Sequence, residues 1–467
     1  MPFMKRIFIF YNILFAILLM GGATASALEV KISGNKLTVH ADQVPLRRIL
    51  RNLADQGIKI KIEPGLNPEI SASFDDRDIQ KGLESILKPM SHVLLWETIE
   101  GPFGSLYKLA EIRIFRHGKK ELIKPLGAAF NLSIARNPMD GSLFVRDEIL
   151  LRFKPGISIE EVKKLLKEIN ASVVNGYPAL GIYKIRLGRN ADIPALADYV
   201  NHHPGVAKAE PNYVYPVFVP YKSPDSAGLV SGFSNITEPV EGMPVAILDT
   251  GLDLDSGLQD LVLASLDAMN PDRPISDSIG HGTQMAFIAA GVVQPLGVNN
   301  DADTHNPIIS VRAFDDNGFT SNFSIMRSVD FALNNGARVM SLSWGSETRS
   351  DFLEDVLEMA NSKGIIVVAS AGNEPTGKPV YPAAYSSVIG VGALGPDGKP
   401  WKKSNYGNFV MLNAPGFATF PVGYKGDPGI YAGTSISAAF VANIIANYIS
   451  ENPKATKQEI LKNLTNQ

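Results

Sequence analysis

The chain has no cysteine. Disulfides are therefore excluded, and so is any zinc site built on thiolates. Histidine is sparse: the seven are scattered, and no pair at metalloprotease spacing such as HExxH occurs. Net charge is only −3 over 467 residues, so neither nucleic acid nor an anionic membrane is expected as a partner. Beyond the first 20 residues no apolar run is long enough to cross a bilayer. What is present, 45% hydrophobic and 19% charged residues, describes a globular chain with apolar material for several cores, and the length predicts about three domains.

The start of the chain carries targeting chemistry. Lys5 and Arg6 give a basic opening, Ile7 to Met20 is apolar apart from Asn12, and Ala25-Ser26-Ala27 is a small-residue cleavage pattern. An apolar stretch of about 14 residues is short for a membrane span, although an uncleaved anchor would have the same composition. The expectation is a signal peptide over 1–27 and a secreted or periplasmic product.

Residues 28–118 form a first α+β unit. Leu46, Ile49, Leu50 and Leu53 recur at helical spacing within Val44 to Gln56, and Ile79, Leu83, Ile86 and Leu87 do so within a second helix. Alternating stretches around them predict the order β-α-β-β-α-β-β. Residues 119–147, with Asn137-Pro138-Met139-Asp140-Gly141 at their centre, read as a linker. Residues 148–218 repeat a β-α-β-β-α-β order, with helices over 159–169 and 193–202. Residues 219–240 are rich in Pro, Gly and Ser and lack periodicity. They read as a second linker, with maturation expected in 221–235.

Chemistry concentrates in the remaining 241–467. AILDTGLD places Asp249 at the carboxyl end of a short apolar run, where open α/β sheets locate their sites. GHGTQMAFIAAG places His281 in a glycine turn that opens a helix, and GTSISAAFVAN does the same for Ser435. A fourth string, Ser370-Ala371-Gly372-Asn373, follows the apolar run 365–369. A hydroxyl is a poor nucleophile until a base removes its proton, and the base needs a buried carboxylate to fix its tautomer. A side-chain amide beside them supplies a donor for an oxyanion. Each residue alone has a plainer reading: Asp249 as a turn aspartate, Ser435 as a helix N-cap, His281 as a loop histidine, Asn373 as a left-handed turn residue. The carboxylate and imidazole lie 32 residues apart, the serine lies 154 further on, and Asn373 lies 62 before it.

These four strings, in this order, resemble the subtilisin family of serine proteases. The resemblance implies an α/β fold: a subtilisin-like catalytic domain with a parallel sheet flanked by helices, preceded by two small α+β domains. It implies Asp249, His281 and Ser435 as the triad and Asn373 as oxyanion donor. It further implies Ser343-Trp344-Gly345 and Ser370-Ala371-Gly372 as walls of the primary specificity pocket. Val380 stands where relatives often keep glycine, so a shallower pocket for small or medium side chains is expected. Gln284 replaces a second histidine, and Ile436-Ser437-Ala438-Ala439-Phe440 replaces Met-Ala-Ala-Pro-His. Neither change removes a proton-transfer group. ILLRFKPG and VAKAEPNYVYP resemble the propeptide of such proteases, which implies an intramolecular inhibitor beside a polypeptide substrate. VPLRRILRNLADQGIKIKIEP with IQKGLESILKPMSHVLLW resembles the short N-terminal domain of secretins and TonB-dependent receptors, implying an envelope protein as a partner for 28–118. No cofactor is required and no metal ligand set is assigned. Structural calcium stays open, with Asp253 and Asp255 the nearest carboxylates. An inactive protease-like envelope binding protein is the alternative function.

Overall fold

The computed structural model describes residues 28–465 except 34, 56–57, 64–65, 89, 102–103, 121–122, 127–130, 189–190, 225–239, 272–273, 299–304 and 425–427. The expected signal peptide, 1–27, and most of the expected maturation segment lie outside the described residues. The chain divides into two compact units, 1–129 and 130–467.

The first unit runs β1 (Glu29–Ser33), β2 (Lys36–Pro45), α1 (Leu46–Asp55), β3 (Lys59–Ile62), β4 (Glu69–Asp78), α2 (Ile79–Leu87), β5 (Ser91–Gly101), β6 (Gly104–Phe115) and β7 (Lys124–Pro125). Its strands form two sheets, β1-β2-β4 and β5-β6-β3-β7. The leucine stripe of α1 is fully buried, because residues at i, i+3, i+4 and i+7 share one helix face. Asp78 starts α2 by accepting the Lys81 N–H, one of the donors that the helix cannot satisfy itself.

The second unit opens with β8 (Ile134–Arg136), β9 (Leu143–Phe153), α3 (Ile159–Glu168), β10 (Ala171–Tyr177), β11 (Ile182–Leu187), α4 (Ile193–Asn201) and β12 (Val206–Pro216). The expected linker 119–147 is corrected here on two counts. Lys124–Pro125 pairs with β3 in the first unit, and Ile134–Arg136 pairs antiparallel with Leu143–Val145 in the second. The Asn-Pro-Met-Asp-Gly cluster is therefore the turn of a hairpin. Asn137 Oδ1 accepts the Met139 N–H, Asp140 Oδ1 accepts the Ser142 N–H, and Gly141 takes φ +77°.

The rest of the unit continues with β13 (Tyr221–Lys222), β14 (Val245–Asp249), β15 (Val262–Asp267), α5 (His281–Ala289), β16 (Ile308–Arg312), β17 (Phe319–Ser321), α6 (Asn322–Asn334) and β18 (Val339–Leu342). It ends with α7 (Asp351–Ser362), β19 (Ile366–Ser370), β20 (Val388–Leu394), β21 (Leu412–Pro415), β22 (Phe417–Phe420), β23 (Gly429–Ala432), α8 (Thr434–Glu451) and α9 (Lys457–Thr465). Seven strands form one parallel sheet in the order β15-β16-β14-β18-β19-β20-β21. Strand residues alternate between its faces. Val245 and Ile247 join a core with α5 and α8, whereas Ala246 and Leu248 join one with α6 and α7. Both faces being covered, these strands are apolar throughout rather than alternating.

The segment 216–223 departs from the expected linker. β12 continues the five strands β10-β11-β9-β12-β17, so that Val214, Tyr215 and Pro216 pair with Ser321, Thr320 and Phe319. Val217 then bridges Trp344, and Tyr221 and Lys222 pair with Ala432 and Tyr431 of β23. The chain is thus extended and hydrogen-bonded on both sides of residues 218–220.

Candidate active site

Asp249 ends β14 at the carboxyl edge of the sheet, buried to 1% exposure. Its Oδ1 accepts the Thr250 N–H and lies 2.7 Å from His281 Nδ1. His281 is the first residue of α5 and has no exposed surface. The sharp entry to α5 depends on Gly280 at φ +88°, a region costly for any residue with a Cβ. A Cβ on Gly280 would also run into the Gly423 carbonyl.

Asp277 fixes this entry, and sequence reasoning missed it. Its Oδ1 accepts from Gly280 N at 2.7 Å, Ile279 N at 3.1 Å and Thr250 Oγ1 at 2.9 Å. Its Oδ2 accepts from Thr283 N at 2.9 Å and Thr283 Oγ1 at 2.8 Å. Thr250 Oγ1 in turn accepts the Gly282 N–H at 2.8 Å. One carboxylate therefore ties the residue after Asp249 to the turn that presents His281. The available signal was an acidic residue just ahead of a helix start.

Gln284 donates to the Val422 carbonyl at 2.8 Å, holding the loop after β22 that carries Tyr424. The Tyr424 ring stands edge-on to His281 with centroids 6.1 Å apart. Burial raises the Tyr424 phenol pKa, and the Asp249 charge adds to the rise.

Ser435 is the second residue of α8, and the N-cap is Gly433. The plainer reading of Ser435 as a cap is thereby excluded. Its side chain is 1% exposed, and Oγ has no hydrogen-bond partner among the described residues. His281 Nε2 is likewise buried and unpartnered. The carboxylate–imidazole link is closed, while the imidazole–hydroxyl link is not. Such bonds often tighten only once substrate is bound.

Asn373 follows β19 on the facing turn, where Gly372 holds the left-handed φ of +100°. Asn373 Oδ1 accepts the Thr434 N–H at 2.9 Å and the Thr434 hydroxyl at 3.0 Å. Those bonds aim Nδ2 outward, and it donates to the Val219 carbonyl at 3.0 Å. The structure thus brings Asn373 to the start of the helix bearing Ser435.

The two segments expected as pocket walls differ in which atoms they present. Ser343 and Gly345 act through main chain: Ser343 O accepts the Phe218 N–H at 3.4 Å, and Gly345 N donates to Pro216 O at 3.3 Å. The Trp344 side chain turns away into the core, donating to Leu248 O at 3.1 Å and packing on Tyr215 and Phe314. Ser370 and Ala371 are tied to Leu342 and Val391. Gly372 is the wall residue that meets the Phe218 ring, whose nearest atom lies 3.5 Å from where a Cβ would stand. Val380 is buried against Gly345. Among the described residues no group of three or more acidic or histidine side chains is placed to hold a metal ion. Asp253 Oδ1 accepts the Asp255 N–H in a local turn.

Residues 241–467 match the family model described as the subtilase family. The chain is 33% identical over 232 residues to Subtilisin Savinase of Lederbergia lenta, covering 82% of that protein. The chain belongs to the subtilase family. It is by descent a subtilisin-type serine protease, and residues 135–212 match the fervidolysin N-terminal prodomain. A thermophilic serine proteinase of Bacillus sp. strain AK1 is 29% identical over 317 residues, which is 66% of this subtilase and 79% of the relative. Fervidolysin from Fervidobacterium pennivorans, a keratinolytic enzyme related to subtilisin, shares the fold with a TM-score of 0.55 at 24% identity. That match covers 71% of this chain and 58% of fervidolysin. The prodomain match begins at 135, in agreement with the hairpin that replaces the expected linker.

Proposed function

We propose that this subtilase is an exported serine endopeptidase made as a self-inhibited precursor. Ser435 Oγ attacks the substrate carbonyl, His281 takes its proton and later delivers it to the leaving nitrogen, and Asp249 orients the imidazole. Asn373 Nδ2 and the Ser435 backbone N–H hold the oxyanion. The observation that carries this reading is the buried 2.7 Å Asp249–His281 pair, with an unpartnered serine hydroxyl and an outward-aimed amide nearby. A buried serine oxygen with no partner is costly unless another group completes it.

The prodomain, 135–212, serves as the inhibitor, and the substrate is an extended polypeptide. Support comes from the strand-like pairing of residues 216–218 along Ser343 and Gly345, the geometry by which a peptide adds to an exposed strand. Export rests on the basic, apolar and small-residue pattern of residues 1–27. The first unit, as an envelope docking module, rests on its sequence pattern. A deletion of 28–118 that leaves maturation and envelope association unchanged would count against that module.

Fluorophosphonate labelling tests the catalytic assignment. The matured chain should label on Ser435, and Ser435→Ala should not label and should lose about 10⁶ in turnover. An unlabelled but folded mature chain would leave the inactive envelope binding protein as the better description.

A further inference from the structure

A strand poised for hydrolysis places the side chain and the carbonyl of one and the same residue at the specificity pocket and at the oxyanion donor. The segment crossing this cleft does not. The residue on the pocket side is Phe218: its ring packs over Gly372, and its N–H donates to Ser343 O at 3.4 Å. The two residues before it are locked as well. Val217 N donates to Gly318 O at 2.9 Å, and Pro216 O accepts the Gly345 N–H at 3.3 Å. The carbonyl at Asn373 Nδ2, however, belongs to Val219. On the far side Tyr221 and Lys222 are held on β23, and Ser223 N donates to Ile430 O at 2.9 Å. Between the two anchored stretches the carbonyl at the amide donor thus lies one residue beyond the side chain at the pocket.

The bond that follows the Val219 carbonyl leads to Pro220. Its nitrogen is a tertiary amide nitrogen with no N–H, and Pro220 is buried. The atom that His281 would have to protonate is therefore crowded by the ring. The unpartnered Ser435 Oγ and His281 Nε2 match a strap that occupies the cleft without engaging the reaction.

We propose that residues 216–223 form an inhibitory strap held one residue out of reactive register, and that maturation cuts the Phe218–Val219 bond. This rests on the proposal that Ser435 is the nucleophile. The Phe218 ring already lies against the Gly372 wall, so the reactive register needs the strap downstream of it to retreat by about 3.3 Å, one residue of extended chain. The Phe218 carbonyl then replaces that of Val219 at Asn373. Ser435 Oγ adds to the Phe218 carbonyl carbon and its proton passes to His281. The C–N bond breaks, and that proton goes to the Val219 nitrogen. One water then hydrolyses the ester, leaving a Phe218 carboxylate and restoring the Ser435 hydroxyl. The cut is intramolecular, so its rate does not depend on protein concentration. It also assigns the pocket an aromatic side chain, where the sequence had suggested small or medium ones.

The test uses the full-length chain, followed by intact mass and N-terminal sequencing as it converts. The expected new N-terminus is Val219. Deleting Pro220 shortens the strap by one residue and should speed conversion at least tenfold, and Phe218→Ala should slow it at least tenfold. A new terminus at Pro220 or further downstream, or a Pro220 deletion that leaves the rate unchanged, overturns the proposal. Fluorophosphonate labelling after limited proteolysis of the strap separates the two readings. A chain that labels on Ser435 but is cut elsewhere, or is not cut, overturns the register alone. A chain that neither cuts nor labels overturns the nucleophile as well.

Discussion

Asp277 moves no proton, yet five hydrogen bonds converge on its carboxylate from the turn that presents His281 and from Thr250. Replacing it with alanine leaves those donors unpaired and lets the imidazole shift relative to Ser435. Misplacement of about 1 Å costs on the order of 10²-fold in rate. Asp277→Ala is therefore expected to lower kcat by about 10- to 100-fold with KM little changed, and Asp277→Asn, which keeps an acceptor, to recover part of the loss. Equal kcat for alanine and wild type in steady-state peptide hydrolysis would remove Asp277 from the machinery. Asn373→Ala belongs to a different class. On the proposed mechanism it deletes a donor aimed at the developing charge, so a loss of about 10²–10³ in kcat is expected. The contrast shows what a single sequence reveals. Asp249, His281, Ser435 and Asn373 each stand near a glycine that marks a sharp turn next to an apolar run. Three of the five donors to Asp277 are backbone N–H groups, which almost every residue type carries, and the other two are the hydroxyls of Thr250 and Thr283, so no distinctive residue pattern marks its partners. Glu210 was invisible for a related reason: its hydroxyl partner, Ser350, lies 140 residues away in the chain.

Helices were legible where one face is wet. Ser158 accepts the Glu161 N–H, and Glu161 reaches back to the Ser158 N–H, closing a capping box at the start of α3. Ser158→Ala is expected to cost about 1 kcal/mol in denaturant unfolding of the chain. α8 follows other rules. Ile445, Ala438, Ala439 and Ala442 have no exposed surface, and Asn443 and Ser437 are buried as well. A helix covered on nearly all sides shows no polar stripe, and α8 declares itself only by its length and its glycine entry. Truncating it is correspondingly more damaging. Ile445→Ala is expected to cost about 2–5 kcal/mol, several times the cap. A smaller loss in α8 than in α3 would contradict the packing described above. Turn chemistry was read correctly at Asn137–Gly141 but at the wrong scale. A hairpin turn and a linker share their residue types, and only the pairing of Ile134–Arg136 with Leu143–Val145 separates them.

The prodomain and the catalytic part of the second unit share more than strand β12. Glu210 on that strand accepts from the Ser350 hydroxyl, from Asn322 Nδ2 at 3.1 Å and from Asp351 N at 3.2 Å. Asn212, two residues on, accepts the Phe323 N–H at 3.2 Å. One prodomain strand thus covers the N-termini of both α6 and α7, where an acceptor is favoured. None of this was legible as such: in the sequence VAKAEPNYVYP is simply a strand. Burial carries a second consequence. It pushes the Glu210 carboxyl pKa up to about 7, against the opposing pulls of the Ser350 bond and the Lys208 charge. A carboxyl whose folded pKa lies above its unfolded value near 4.3 binds more protons folded than unfolded. Its contribution to stability is therefore present in full below about pH 4 and is lost as pH rises through about 7. At most it changes by about 1.4 kcal/mol per pH unit. The lower-pH form is a neutral carboxyl that keeps its acceptor oxygens for Asn322 and Asp351, and the higher-pH form is a buried anion. Full-length Ser435→Ala, which on the proposed mechanism cannot cut its own strap, should accordingly lose stability between pH 5 and pH 7 relative to Glu210→Gln in the same background. Glutamine is neutral throughout and should give the flatter profile. Denaturant midpoints for the two proteins across that window decide the matter: parallel profiles would mean that Glu210 enters the interface without changing its protonation. A converging pair would make prodomain release easier at neutral than at acidic pH.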